Sequence, residues 1–263
     1  MPTTPLRALL ACAFLASAVA GCAGAARSER GAASTPALSP AQIAQLLASP
    51  DRSEADRRND VRRKPADLLA FIAPRPGMVV LDLSAGGGYT SELLARAVGP
   101  TGRVYGQSNT PDGAPGRSAL ALAERAKKAS SANIVPVVQP FERPAPAAVA
   151  QGGLDLVTLM FNYHDLAAMA VDRARMNAAV FAALRPGGVY VLADHSGRPG
   201  TGISEGPTLH RIEEAFLRRE VEAAGFRLLA SGDFLRNPAD PRDKETPDPP
   251  QPKDEFVLKF VKP

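Results

Sequence analysis

From Gly77 onward, short apolar runs alternate with stretches of helical period, and this alternation sets the expected architecture. MVVLDL (78–83), RVYGQ (103–107), IVPVV (134–138), LDLVTLMF (154–161) and GVYVLAD (188–194) read as strands. Helical patterns fall between them, at about 89–98, 117–129 and 172–184. LDLVTLMF is a mostly apolar run, as expected for a strand covered on both faces. PTLHRIEEAFLRREVEAAG (207–225) predicts one long helix stopped at Gly225. FRLLASGDF (226–234) and EFVLKFV (255–261) follow with no helix between them, so these two should pair antiparallel. Ahead of the alternation, residues 39–72 read as three helices: SPAQIAQLLASP opening on Ser39 and Pro40, a charged segment, and one entered through Lys64-Pro65. The expected fold class is α/β, a doubly wound, mostly parallel seven-stranded Rossmann-like sheet with an antiparallel last strand and N-terminal helices. The segment RNPADPRDKETPDPPQPK (236–253) is long for a loop in a compact domain; it reads either as a lid or as a mobile connection.

The first residues change the picture of where this domain works. Arg7 precedes an apolar run of roughly thirteen residues, the length of a signal-peptide core and too short to span a bilayer comfortably. The run ends in Val19-Ala20-Gly21-Cys22, which resembles the bacterial lipobox, where lipid is attached to the cysteine after cleavage before it. Ordinary cleavage at Ala18-Val19-Ala20 is the alternative. The expected organisation is a signal peptide (1–21), a flexible tether (22–38) of small and polar residues, and one domain (39–263). Lipidation at Cys22 implies a membrane-anchored periplasmic protein. Ala23 is not the aspartate that commonly retains lipoproteins at the inner membrane, so the outer membrane is the expected destination. Cys12 lies in the removed segment, so the mature chain has neither a disulfide nor a thiolate metal site. The formal charge is +4, and the most charged stretch, DRSEADRRNDVRRK, mixes both signs. With no basic stripe, a nucleic-acid partner is not expected. The run from Arg57 to Lys64 reads as a solvated helix face.

In an open α/β sheet ligands sit at the carboxyl ends of the strands, and the first strand here exits into SAGGG. Glycines at such a turn permit a tight bend or a close ligand approach. No Gly-Lys-Ser/Thr follows, so the turn is not a P-loop. Nor is it G-x-G-x-x-G, because Ser91 holds the sixth position from Gly86. The wider context is more specific. VVLDLSAGGGYTSELLA, VGPTGRVYG, LDLVTLMF and LRPGGVYVLADH resemble, in order and spacing, the class I S-adenosylmethionine-dependent methyltransferases. RRKPADLLAF, NYHDL, ADHSGRPG, LHRIEEA and LRNPADPRD extend the resemblance to a group of exported bacterial predicted methyltransferases, over about residues 55 to 263.

That resemblance implies S-adenosylmethionine as cofactor and methyl transfer to a small-molecule acceptor. It implies that Asp82, Ser84, Gly86, Gly87 and Gly88 cradle the methionine end, with Asn162 added to the cofactor set. Ser84 stands where these enzymes usually carry the first glycine. Gln107 stands where an acidic residue normally accepts both ribose hydroxyls, and an amide offers one acceptor oxygen instead of two. Asp112 is a loop residue able to compensate, and Gln139 or Glu142 could meet the adenine.

The chain has three histidines, and all fall near the expected cleft: His164 in NYHD, His195 in ADHS, and His210 at the opening of the next helix. His164-Asp165 and Asp194-His195 are neighbouring pairs. An imidazole with a carboxylate fixing its tautomer can accept a proton as methyl transfer proceeds, so His164, Asp165, Asp194, His195 and His210 form the candidate catalytic group. The same residues could instead satisfy backbone groups at strand ends. No metal ligands are assigned. A metal-dependent enzyme using His164, His195 and His210 remains an alternative, as does a non-catalytic metabolite-binding module. Asn162-Tyr163 lacks the prolines of the NPPY loop of DNA amino-methylating enzymes, which excludes that reading.

Overall fold

The computed structural model describes residues 35–109, 116–245 and 253–263. The expected signal peptide, the first part of the expected tether with Cys22, and Asp112 lie outside the described residues. Thr35–Pro263 forms one compact unit. Among the described residues no helix is long and apolar enough to cross a membrane.

Three helices lead in: α1 (Pro40–Leu47), α2 (Glu54–Arg63) and α3 (Pro65–Ile72). Ser39 and Gln42 close a reciprocal capping box at the start of α1, and Ser53 caps α2 by accepting from the Asp56 N–H. Lys64 ends α2 in the left-handed conformation (φ 43°), and Pro65, which lacks an N–H, starts α3 after the turn. The alternation then follows as β1 (Val79–Leu83), α4 (Tyr89–Val98), β2 (Arg103–Ser108), α5 (Arg117–Arg125), β3 (Ile134–Val138), β4 (Leu154–Met160), α6 (Arg173–Ala183) and β5 (Leu184–His195). It closes with α7 (Gly206–Leu209), α8 (Glu214–Ala223), β6 (Arg227–Gly232) and β7 (Glu255–Val261).

The seven strands form one sheet in the order β3-β2-β1-β4-β5-β7-β6. β1 to β5 pair in parallel, whereas β7 inserts between β5 and β6 and runs antiparallel to both. Side chains alternate along β1, so Leu81 and Leu83 join the core under α6 and α8, with Met176, Val180, Leu217 and Val221. Val80 points the other way, to a core with Ile43 of α1, Leu68, Leu69 and Ile72 of α3, and Leu93 and Leu94 of α4. Helices therefore cover both faces, and the strand order reverses between β1 and β4. That reversal opens a crevice at the carboxyl ends of these strands.

One expectation needs correction. The stretch 207–225 is not one helix. α7 stops at His210, whose backbone is left-handed (φ 51°), and Ile212 forms a parallel bridge with Ser196 before α8 begins. The cause is tertiary. The Arg211 guanidinium is 1% exposed and is held by Asp240 and by the Ser196 and Lys244 carbonyls. Those bonds outweigh the helix propensity of the stretch. The same contacts tie the first part of the 236–253 segment to the body, with Arg242 also paired to Asp254.

Candidate active site

A cleft of about 680 Å³ opens where β1, β2 and β4 end. It lies within the usual size range of small-molecule sites, about 300–1,000 Å³. Its floor is the turn after β1. Ser84 there adopts φ 56°, a left-handed conformation that costs a non-glycine residue about 1–2 kcal/mol. That explains why glycine is usual at this place, and two bonds hold the serine to it. The Ser84 N–H donates to Gln107 Oε1 at 2.8 Å, and its hydroxyl donates to Asn162 Oδ1 at 2.7 Å.

The three glycines do different work. Gly86 (φ 56°) has nothing within 4 Å of where a Cβ would stand, so the space above it is open. Gly87 borders the cleft and has room for a Cβ. Gly88 (φ 84°) faces α5 and not the cleft: a Cβ there would meet Leu122 Cδ1 at 2.7 Å and Arg125 Cδ at 3.0 Å. It is a packing glycine that lets α4 start against α5.

Asp82 borders the cleft, but its carboxylate is buried and used internally. Oδ2 accepts from the Ser91 hydroxyl at 2.6 Å and Oδ1 from the Thr158 hydroxyl at 2.7 Å. Burial pushes its pKa up to about 6, against the hydrogen bonds from Ser91 and Thr158 and the charge of Arg63. Gln107 forms part of the cleft wall, yet its side chain is fully buried. Besides accepting from Ser84, it donates from Nε2 to the Gln139 carbonyl at 2.6 Å. Its amide braces the ends of β1 and β3 and is not presented to a ribose. At the expected adenine side, Phe141 and not Gln139 or Glu142 borders the cleft; Glu142 accepts instead from the Asp172 N–H.

The largest surprise lies in the charged run 57–64. Asn59 and Arg63 turn into the cleft. The Arg63 guanidinium sits 3.9 Å from the centre of the Phe161 ring, a cation–π contact. Its Nε is buried without a hydrogen-bond partner, and among the described residues no carboxylate pairs with it. Burial, then the neighbouring Arg62 charge, lower its pKa to about 10, with Glu255 opposing. Arg125 fastens α2 above the turn. Its Nε donates to the Gly87 carbonyl at 2.9 Å, and its other nitrogens pair with Asp56 and Glu92 at 2.7 and 2.5 Å. Tyr89 donates to Asp60 at 2.7 Å, which Arg52 also holds. Mixed charge in sequence gave no signal for Arg63 or Arg125. Phe161 follows a strand end directly, and that position was itself a signal.

The histidines do come together. The His164 ring centre lies 5.4 Å from those of His195 and His210. Asp194, fully buried, accepts from the His164 and His195 N–H groups and from His164 Nδ1 at 2.5 Å. Burial opposes charge on His164, but its hydrogen bond to Asp194 and the charges of Asp194 and Asp165 prevail, and its pKa rises. His210 Nδ1 lies 2.9 Å from Asp165 Oδ1 and His164 Nε2 lies 3.3 Å from Asp165 Oδ2. His195 belongs to another pair: its Nδ1 is 2.9 Å from Glu255 Oε1, though outside hydrogen-bonding geometry. Burial lowers His195 to about 3 and raises Glu255 to about 7. His164, Asp165, Asp194, His195 and His210 do not line the cleft. Asn162 joins the two regions, bordering the cleft and donating to Asp165 Oδ2 at 3.2 Å. His210 does not open a helix; it caps the end of α7.

The sheet order, the glycine turn and the cleft can be set beside known proteins. A structure of an S-adenosylmethionine-dependent methyltransferase from Aquifex aeolicus superposes with a TM-score of 0.58 at 18% identity, over 86% of this chain and 100% of that one. This chain has the class I S-adenosylmethionine-dependent methyltransferase fold. A possible exported protein from Bordetella parapertussis shares the fold, with a TM-score of 0.50 and 17% identity over 87% of this chain and 80% of its own. Among curated proteins, the protein-L-isoaspartate O-methyltransferase of Aeropyrum pernix is 49% identical over 45 residues, 17% of each chain. Fibrillarin 3 of Arabidopsis thaliana, named for rRNA 2'-O-methyl transfer, is 27% identical over 176 residues, 65% of this chain. The chain spans 17% and 56% of the lengths of these two relatives. No protein-family model matches the chain.

Proposed function

We propose that this protein binds S-adenosylmethionine in the cleft and transfers its methyl group to a small-molecule acceptor outside the cytosol. The observation that carries the reading is Arg63, its Nε without a hydrogen-bond partner and its guanidinium over Phe161, lining the same cleft as the open glycine turn. A half-buried arginine with no carboxylate of its own among the described residues suits a ligand carboxylate, and the open face of Gly86 leaves room for the ligand to approach the backbone. Arg63, Ser84, Gly86 and Gly87 would hold the amino-acid end, with Phe141 beside the base. When bound, the cofactor supplies an electrophilic methyl group. On the acceptor side, Asn162 borders the cleft, and behind it His210 is the exposed imidazole (43% of its side chain), oriented by Asp165 to accept a proton. Calorimetric titration of the purified chain with S-adenosylmethionine and S-adenosylhomocysteine tests the binding. One saturable site, weakened tenfold or more by Arg63→Met, is expected; a folded protein that binds neither ligand overturns the reading.

A non-catalytic binding module is the second reading, and Gln107 favours it. The place of the ribose-binding acidic residue is taken by an amide already bonded to two backbone groups. Binding of S-adenosylhomocysteine without methyl transfer to any acceptor in an extract of the native envelope would select it. For location, the lipobox-like Val19-Ala20-Gly21-Cys22 supports a lipid anchor in the outer membrane. Cys22→Ala should move the protein from the membrane to the soluble periplasmic fraction, and identical fractionation of variant and wild type would exclude the anchor.

A further inference from the structure

Among the described residues, His164, Asp165 and His210 form a group whose potential ligand atoms all lie within 4.8 Å of one another. From these three side chains we infer a binding site for a divalent first-row transition ion, next to the cleft and independent of the cofactor reading. The donor chemistry comes first. Two imidazoles and one carboxylate are the mixed nitrogen–oxygen set that suits zinc, iron and their neighbours, whereas magnesium and calcium prefer oxygen alone. The spacing is close to what an ion needs. Ligands about 2.0–2.2 Å from one ion stand roughly 3–3.5 Å from each other; Asp165 Oδ2 lies 3.3 Å from His164 Nε2, and its Oδ1 lies 2.9 Å from His210 Nδ1.

The surroundings orient the set. Asp194 already accepts two backbone N–H groups, so it acts towards His164 Nδ1 as an acceptor. The Nδ1 proton is thereby fixed, and the lone pair of Nε2 is turned to Asp165. A carboxylate behind the distal nitrogen of a ligating histidine is the usual outer support of such sites. Asn162 steadies Asp165 in the same way, donating to its Oδ2 at 3.2 Å. The approach of His210 is enforced by packing: a Cβ on Gly206 would stand 2.3 Å from the His164 carbonyl oxygen, so only glycine lets α7 press this close. Glu245 stands outside the set: its Oε1 lies 3.8 Å from Nε2, the other ring nitrogen of His210. His195 is excluded, because it faces Glu255. The break in the 207–225 helix thus has a use: a continuous helix would carry His210 away on its own cylinder.

An ion would occupy lone pairs that a proton acceptor needs, so its presence decides how the group can act. The test uses the full-length chain without a histidine tag, stripped with a chelator and titrated with Zn²⁺ by calorimetry and with Co²⁺ by visible absorption. One equivalent of Zn²⁺ is expected to bind, with Co²⁺ giving ligand-field bands. His210→Ala and Asp165→Asn should each weaken Zn²⁺ at least a hundredfold, while His195→Asn stays within about threefold of wild type. Far-ultraviolet circular dichroism establishes folding, and the second variant decides where the first does not fold. A folded wild type that binds less than half an equivalent overturns the site. So does Zn²⁺ affinity unchanged in a folded His210→Ala or Asp165→Asn variant. Because no cofactor is present, the outcome is read separately from S-adenosylmethionine binding.

Discussion

Replacing Gln107 with glutamate separates two accounts of the cleft. In the resembled enzymes a carboxylate at this place accepts ribose hydroxyls, so Gln107→Glu would restore a two-oxygen acceptor and tighten S-adenosylhomocysteine. The structure argues for the opposite result. Nε2 donates to the Gln139 carbonyl at 2.6 Å, and glutamate puts a second acceptor there. One hydrogen bond is lost and a part-buried carbonyl is left without its donor, together about 2–4 kcal/mol. A carboxyl facing a carbonyl in a buried site can restore the bond only by keeping its proton, so its folded pKa should rise above the unfolded value of about 4.3. For a carboxyl shifted upward, the folded state holds more protons; its stability is present below the unfolded pKa and is lost as pH rises through the folded one. Melting curves from pH 4 to 8 should therefore show the variant close to wild type at pH 4 and about 5–15 °C lower at pH 8. Calorimetry at neutral pH should show weaker S-adenosylhomocysteine binding. A variant that melts with wild type across this range and binds the nucleoside tenfold tighter would refute the bracing role and return Gln107 to the ribose.

Three further outcomes follow from the same geometry. Asp82 is held at about 6 against an ordinary 3.8, so its contribution to stability should decline as pH rises between these values; Asp82→Asn should lessen the decline of stability over that range, leaving the part that Glu255 contributes, and add on the order of 1–3 kcal/mol at pH 7, read by urea denaturation. Gly88→Ala, whose Cβ would meet Leu122 at 2.7 Å, should cost about 2–4 kcal/mol, whereas Gly86→Ala, with open space and only its φ to bear, should cost about 1 kcal/mol; equal losses would contradict the packing role of Gly88. Arg125→Met leaves Asp56 and Glu92 without their shared cation and should cost about 3–5 kcal/mol, with earlier proteolysis in α2 than elsewhere; a variant as stable as wild type would show that the clamp contributes nothing.

What could be read in sequence divides along a physical line. The strands and most helices were legible because their signal is local: β4 is apolar at five of its seven positions, and Ser39 followed by Pro40 marks a helix start. Such periodicity also gave the antiparallel β6–β7 pair and the cleft at the end of β1. The misreadings share another property, since each was decided by a partner far away in the chain. Arg211 leaves the helical path for Asp240 and two carbonyls. Arg63 looks like its solvated neighbours until Phe161, at the end of β4, comes beneath it. His195 and Asp194 are adjacent in sequence, but the β5–β7 register sets His195 opposite Glu255, while the carboxylate of Asp194 serves His164. The grouping of the histidines was therefore visible in sequence and their division of labour was not. Adjacent residues on a strand point to opposite faces, so a neighbouring Asp-His pair at a strand end is poor evidence of a working pair. The partner worth seeking lies on the next strand or the facing turn, and here that search separates His164, Asp165 and His210 from His195.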